Sequence, residues 1–218
     1  MSLHINDLAP DFTAETTLGP IHFYEWIGDD WAVMFSHPKD FTPVATTELS
    51  TMAGMEPQFA ERGVKIIGLS VDPVSSHLKW EADIREVGGH EIHYPLIGDP
   101  ELKIARLYDM LPGDACNHSE GRMPAQNAPM RTLFVIGPDK RIKLMMAYPM
   151  TTGENFDEVI RVLDSIQLTA KHRVATPANW RQGEDVIITS AVSNEEADKI
   201  FPGYRIVKPY MRVTAQPV

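Results

Sequence analysis

The chain has 218 residues, of which 43% are hydrophobic, and it carries a formal net charge of −10 at pH 7. This length supports one sizeable domain, or one domain with a small appendage. The acidic balance argues against nucleic acid or an anionic membrane as a partner. The single cysteine excludes an intramolecular disulfide and a four-cysteine zinc site.

Neither a targeting segment nor a membrane span is expected. The N-terminal sequence lacks a basic region followed by an apolar core, so it does not resemble a signal peptide. No apolar run approaches the roughly 20 residues that a membrane-spanning helix needs. We therefore expect a cytoplasmic protein.

The first strong elements are a strand and a helix joined by a short segment. The run Trp31–Phe35 predicts a buried strand. Thr42 is a favourable N-cap, Pro43 is a favourable first helical residue, and apolar residues then recur at helical spacing until Gly63. Ala45 should therefore lie in the first turn, where free N–H groups and the helix dipole favour negative charge. A cysteine there would have a lowered pKa, whereas alanine leaves only an anion-friendly pocket.

A second strand and helix follow directly. The β-branched run Val64–Val71 predicts a strand, and residues Val74–Val87 predict a helix. We expect this helix to bury the face that carries Leu78, Ala82 and the stem of Arg85.

Farther along, a turn sequence separates two strand-like runs, Arg131–Ile136 and Ile142–Ala147, which predicts a hairpin. A strong amphipathic helix begins near Phe156. Thr151 and Glu154 have the spacing of a capping box for its start.

This order of elements predicts an α/β fold, with a mixed central sheet flanked by helices. After about residue 170, prolines separate short elements, which predicts a small α+β domain. We expect domains at residues 1–168 and 169–218. The short elements expected in the second are Val186–Ile188, a helix at Asn194–Phe201, and Tyr204–Val213.

The segment around position 45 resembles the peroxiredoxin signature Pro-x-x-x-Thr-x-x-Cys, with Pro38 and Thr42 in place and Ala45 where the peroxidatic cysteine belongs. The wider run Phe35–Glu48 is similar to the one-cysteine subfamily, the peroxiredoxin 6 type. Further similar segments are Ala9–Phe12, Tyr148–Glu158 and Arg173–Trp180. The resemblance implies a thioredoxin-like fold and a dimerising C-terminal domain.

The resemblance also implies roles for several side chains. Thr42 would offer its hydroxyl to a peroxide, and Pro38 would shield the pocket from water. Arg131 would lower the thiol pKa and bind substrate through its planar fork. From spacing alone, Arg131 would instead be a surface charge at a strand edge.

Two more residues of this region are candidates. His37 is expected to orient substrate or backbone, or else to be a hydrogen-bonded structural histidine. Glu48 lies one helical turn past Ala45 and is expected to buttress an arginine; the alternative is a solvated charge on the helix face.

Other reactive side chains are assigned no role. Cys116 lies in a turn-rich loop without a partner cysteine, so it is interpreted as an incidental thiol. His90 and His93 lack a third ligand, so no metal is expected. No cofactor is expected either.

The leading hypothesis is a peroxidase that reduces hydrogen peroxide or small organic hydroperoxides through a cysteine sulfenic acid. Because no resolving cysteine is evident, an external thiol would complete the cycle. The Ala45 form should be inactive. The family resemblance implies a homodimer or a higher oligomer. Two alternatives remain open, a natural pseudoenzyme that serves as a scaffold and an oligomeric holdase chaperone.

Overall fold

The computed structural model describes residues 3–113 and 128–218. The chain divides into two compact units, residues 1–154 and residues 155–218. The domain boundary expected at residue 168 stays a prediction. In the part of the chain that the structure describes, no helix is long and apolar enough to cross a membrane.

The first unit contains seven strands and four helices among its described residues. The strands are β1 (Thr13–Thr16), β2 (Gly19–His22), β3 (Trp31–Ser36), β4 (Val64–Ser70), β5 (Leu96–Gly98), β6 (Arg131–Ile136) and β7 (Ile142–Tyr148). The helices are α1 (Phe23–Ile27), α2 (Pro43–Glu61), α3 (Val74–Gly88) and α4 (Lys103–Leu107). The predicted strands and helices of this unit are all present. Sequence reasoning missed β1, β2, β5, α1 and α4, which are too short for their periodicity to stand out.

The strands of the first unit form one mixed sheet in the order β2-β1-β5-β4-β3-β6-β7. Strands β3, β4 and β5 pair in parallel, whereas β6 runs antiparallel to both β3 and β7. The predicted α/β class and the predicted hairpin are confirmed. Because β3 lies between β4 and β6, the segment that leaves its end starts from the middle of the sheet.

Helix α3 buries a different face from the one expected. Its buried side chains are His77, Trp80 and Ile84. The positions expected to be buried, Leu78, Ala82 and Arg85, are exposed. Apolar residues occur on both faces of this helix, and the prediction chose the face of Leu78 over the face of Trp80 and Ile84, which also carries the buried His77.

The second unit contains α5 (Phe156–Lys171), α6 (Asn194–Ile200) and the strands β8 (Val174–Ala175), β9 (Val186–Ile188), β10 (Arg205–Lys208) and β11 (Met211–Thr214). These strands form an antiparallel sheet in the order β10-β11-β9-β8. Its core gathers around the buried side chains of Trp180, Val186 and Phe201. The single element expected at Tyr204–Val213 is in fact two paired strands.

The capping box expected from Thr151 and Glu154 is wrong. Helix α5 begins later, and its N-cap is Asn155, whose side-chain oxygen accepts a hydrogen bond from the backbone N–H of Glu158 at 3.3 Å. The side chain of Glu154 therefore takes no part in capping α5.

Gly98 allows β5 to approach the backbone that connects β4 to α3. A Cβ atom at Gly98 would lie 2.7 Å from the backbone nitrogen of Val74 and 3.0 Å from the carbonyl oxygen of Asp72. We predict that Gly98→Ala lowers the free energy of unfolding by about 2 kcal/mol, since backbone atoms must move to relieve the overlap.

Urea denaturation measures this loss. The matched control is Gly113→Ala, where an added Cβ meets nothing within 4 Å. Equal stabilities of the two variants would contradict the prediction.

Candidate active site

The end of β3 is tied to the start of β6 by Ser36. The Ser36 hydroxyl donates to the carbonyl oxygen of Met130 at 2.7 Å and accepts from the backbone N–H of Thr132 at 3.2 Å. Arg131, between these two residues, is thereby held beside the connection from β3 to α2. This connection contains His37, Pro38 and Thr42.

Helix α2 begins without a side-chain cap. Thr42 occupies the N-cap position, but its hydroxyl donates to the carbonyl oxygen of Lys39 at 2.8 Å instead of accepting from the first turn. The preceding residue, Phe41, has a positive φ of 54°, which few non-glycine residues adopt. Ala45 is the third residue of α2 and has no exposed surface. The first turn therefore keeps N–H groups that can face an anion.

Arg131 and Glu48 form a buried ion pair between β6 and α2. Arg131 Nη1 donates to Glu48 Oε2, and Arg131 Nε donates to the carbonyl oxygen of Met150 at 3.0 Å. The two side chains are only 3% and 5% exposed. The contact expected of Glu48 is present, and the surface alternatives for both residues are wrong.

This ion pair lies on the side of α2 that carries Ala45. Positions separated by three residues share a helix face, so Glu48 and Ala45 point the same way. Arg131 therefore brings its guanidinium to the face on which a nucleophile at position 45 would stand. The catalytic roles of Arg131, Thr42 and Pro38 stay predictions, although Pro38 is buried as a shielding residue must be.

Sequence reasoning missed Glu154 as part of this region. Its backbone N–H donates to Glu48 Oε1 at 3.0 Å. Both of its own carboxyl oxygens are buried and find no hydrogen-bond partner within residues 3–113 and 128–218. The preceding glycine packs on the first turn of α2, because a Cβ at Gly153 would lie 3.5 Å from Val44 Cγ1. Burial and the neighbouring Glu48 carboxylate raise the pKa of Glu154 to about 8. At pH 7 this side chain is a neutral acid.

Two other missed residues surround His37. The ring of His37 is fully buried, and its Nε2 lies 2.8 Å from Asp40 Oδ1. The other oxygen of Asp40 lies 2.7 Å from Nδ1 of His77, which α3 contributes. The sequence signal that could have identified His77 as buried is its position in α3, about one helical turn before Trp80 and two before Ile84.

The histidines and acidic side chains of the described ranges include one group whose potential metal ligands lie close together. His90 and His93 are exposed, and His93 lies near Glu56. Within residues 3–113 and 128–218, the potential ligands that lie together are His37, Asp40 and His77, which contact one another directly. Cys116, interpreted from the sequence as an incidental thiol, lies outside the described residues.

A helix that starts at the centre of a mixed sheet, with a small residue in its uncapped first turn, is the arrangement of thioredoxin-like proteins. The chain belongs to the AhpC/TSA family, whose family profile matches residues 5–145. Residues 165–202 match the C-terminal domain of 1-Cys peroxiredoxin. The resemblance seen in the sequence is confirmed.

Similar proteins cover nearly the whole chain. The 1-Cys peroxiredoxin of Dictyostelium discoideum is 46% identical over 216 residues, which is 99% of this chain and 86% of that protein. Human peroxiredoxin-6 is 45% identical over 225 residues, with coverage of 99% and 98%.

Solved structures agree with these relatives. A cysteine-to-serine mutant of the peroxiredoxin 6 of Arenicola marina superposes with a TM-score of 0.92, at 41% identity and 99% coverage of both chains. The yeast mitochondrial 1-Cys peroxiredoxin superposes with a TM-score of 0.89, at 47% identity, and covers 98% of this chain and 99% of that one. The thioredoxin-like fold is therefore confirmed.

The buried acid Glu154 makes a prediction about pH. Its pKa rises from an ordinary 4.5 in the unfolded chain to about 8 in the folded protein. Between these two pKa values the folded state keeps the Glu154 proton and the unfolded state has lost it. The stability that Glu154 contributes is therefore fully present below the unfolded-state pKa and is lost as pH rises through the folded-state pKa. Relative to the parent chain, Glu154→Gln should gain on the order of 2 kcal/mol of unfolding free energy between pH 5 and pH 8.

Denaturation curves at several pH values measure this gain. The control is Glu61→Gln, which changes an exposed glutamate at the end of α2. If both variants follow the parent curve in parallel, Glu154 is ionised throughout and the prediction is wrong.

Proposed function

We propose that this chain is a variant of a one-cysteine, thiol-dependent peroxidase, in which Ala45 occupies the position of the peroxidatic cysteine, and that the Ala45 form is inactive. The observation that carries the proposal is a buried methyl group in the uncapped first turn of α2, on the helix face that Glu48 and Arg131 share. Family membership supports the reaction type.

The site residues suit the chemistry of an enzyme that has cysteine at position 45. A thiolate at position 45 would attack one peroxide oxygen, forming an S–O bond while the O–O bond breaks and the second oxygen leaves with the electron pair. A proton from solvent would then complete water or alcohol. The Arg131 guanidinium and the first-turn N–H groups of α2 are the groups available to stabilise these anions. The Thr42 hydroxyl would help to hold the peroxide.

An external thiol would return the sulfenic acid to the thiol in two steps. The external thiol first forms a mixed disulfide and releases water, and a second thiol then reduces that disulfide. The yeast mitochondrial relative is described as resolved through glutathione and thioredoxin systems, which supports a reductant of this class. Cytoplasmic location stays a prediction, since one relative is named as mitochondrial.

Two alternative functions compete with that of an inactivated peroxidase. In the first, the chain is a natural pseudoenzyme that keeps the fold as a scaffold. The native gene at codon 45 separates these cases, because an alanine codon supports the pseudoenzyme and a cysteine codon supports the peroxidase.

In the second alternative, the chain is an oligomeric holdase chaperone. The chain at stoichiometric ratio would then reduce light scattering from a heated model substrate. Scattering equal to that with an inert carrier protein would remove this alternative.

Ala45→Cys should create peroxide consumption that depends on dithiothreitol. We expect turnover at least about 100-fold above the parent chain, because a positioned nucleophile replaces a methyl group. The assay is best run at pH 7, where Glu154 is protonated and leaves Arg131 with one carboxylate partner.

The matched control is Ala45→Ser, which adds a hydroxyl of similar size but far weaker nucleophilicity. It should stay at the parent level. No gain in turnover from a folded Ala45→Cys protein would defeat the peroxidase proposal.

A homodimer or higher oligomer is part of the same proposal. Strand β10 is the edge of its sheet, and each of its residues is exposed. Ile206, Val207 and the nearby Tyr210 present apolar surface there, at 61%, 47% and 85% exposure. Unpaired edge strands with apolar side chains are surfaces that associate.

We predict that sedimentation at micromolar concentration shows a species of at least twice the 24.4 kDa chain mass. Val207→Lys should shift the distribution toward the monomer by placing a charge on this edge. A single species at the chain mass would contradict the prediction.

A further inference from the structure

The three buried side chains around the loop before α2 determine one another's protonation. His77 Nδ1 lies 2.7 Å from Asp40 Oδ2, and His77 Nε2 lies 3.0 Å from the carbonyl oxygen of Ile97. A carboxylate and a carbonyl can only accept hydrogen bonds. Both ring nitrogens of His77 therefore face acceptor atoms, a geometry that suits a ring that donates at both positions.

Asp40 is the acidic side chain that lies against the His77 ring. It also faces His37 Nε2 at 2.8 Å and the Ser70 hydroxyl at 3.3 Å. Burial alone raises the pKa of Asp40, but the hydrogen bonds from His37 and His77 outweigh it and hold the pKa below its usual value. Its backbone N–H donates to Asp72 Oδ2 at 2.8 Å, which fixes its place in the loop.

His37 is consequently held in one tautomer. Its Nε2 must donate to the ionised Asp40, so a neutral ring carries its lone pair on Nδ1. Burial lowers the pKa of His37, which keeps the ring neutral. Nδ1 is buried and has no hydrogen-bond partner among the residues that the structure describes. A buried acceptor without a donor calls for a physical reason, since such atoms are rare in folded proteins.

Direct hydrogen bonding accounts for this cluster better than a metal ion does. Ligand atoms about 2.1 Å from one tetrahedral metal stand well over 3 Å apart and are deprotonated. Here the nitrogens of His37 and His77 lie 2.8 Å and 2.7 Å from Asp40, and the second nitrogen of His77 is occupied by Ile97.

We propose that Asp40 and His77 are positioning residues that fix His37 with its proton on Nε2, so that Nδ1 stays open as an acceptor for a proton donor in the pocket at position 45. The chain of contacts runs from the ring of His77 in α3, through the Asp40 carboxylate, to the neutral ring of His37. The acidic side chains near these rings include Asp72, which accepts from the Ser70 hydroxyl, and Glu81, whose pKa is raised by burial and lowered in part by His77. Only the identity of the donor, a thiol at position 45, rests on the proposed function.

The protonation pattern is tested directly in the parent chain. With ¹⁵N-labelled histidine, two-dimensional NMR at pH 7 distinguishes protonated from unprotonated ring nitrogens, and His37→Gln and His77→Gln assign the signals. We expect His37 protonated at Nε2 only and His77 protonated at both nitrogens. A neutral His77, or His37 protonated at Nδ1, overturns the proposal.

Substitution then tests the dependence of one ring on the other. In Asp40→Asn, the His77 ring should lose one proton at pH 7, and His37 should no longer show a single tautomer. The control His93→Gln removes an exposed histidine that pairs with Glu56, and it should leave both signals unchanged. If Asp40→Asn does not fold, the parent spectra still decide. A shift of both the His37 and His77 signals with stoichiometric Zn²⁺ would also overturn the proposal.

The consequence for a nucleophile is measured by alkylation, which needs no peroxide. At pH 7, the thiol of Ala45→Cys should react with iodoacetamide about tenfold faster than the thiol of Ala45→Cys with His77→Gln, which corresponds to about one pKa unit. Ala45→Cys with His93→Gln should stay within about twofold of the single variant. Equal rates in all three overturn the positioning role.

The two proposals fail separately. Peroxide turnover without the expected histidine states removes the positioning role and leaves the peroxidase. The expected histidine states and alkylation rates without peroxide turnover remove the peroxidase and leave the positioning role.

Discussion

One buried ion pair, between Arg131 of β6 and Glu48 of α2, determines where the parts of the site lie. A guanidinium is always charged, so it cannot enter the interior without a carboxylate beside it. That requirement fixes the rotation of α2 about its axis, and with it the direction in which Ala45 faces. Ser36 fixes the other end of the connection by bonding to both neighbours of Arg131. A buried pair adds little net stability, but here it specifies geometry.

The same pair limits what Arg131 can do for an anion. Its charge is already matched by Glu48, and the neutral acid of Glu154 adds no second carboxylate at pH 7. A thiolate at position 45 would therefore add a negative charge beyond the one that Arg131 already balances. The uncapped N–H groups of α2 are the remaining source of stabilisation, and Thr42 leaves them open by directing its hydroxyl to Lys39.

The sequence predicted the elements that have strong periodicity or clear turns, namely β3, α2, β4 and the hairpin of β6 and β7. It also located Arg131 and Glu48, through motif similarity. It failed where a polar side chain is buried by finding a partner far along the chain. His77 meets Asp40 across 37 positions, and Glu154 was assigned to a helix cap that Asn155 provides. Local pattern cannot show such pairs, because the partner of a buried polar group is a property of the folded chain.

These buried contacts also allow the site to keep its shape without its reactive group. Arg131 contacts Glu48 between one pair of elements and Asp40 contacts His77 between another, and none of these contacts involves the side chain at position 45. A buried thiol packs as a small hydrophobic group, so its replacement by methyl removes one atom from the interior and creates little cavity. The chemistry and the architecture are therefore separable at this position. What remains around the alanine is a first helical turn without a side-chain cap, on the same face of α2 as the buried Glu48.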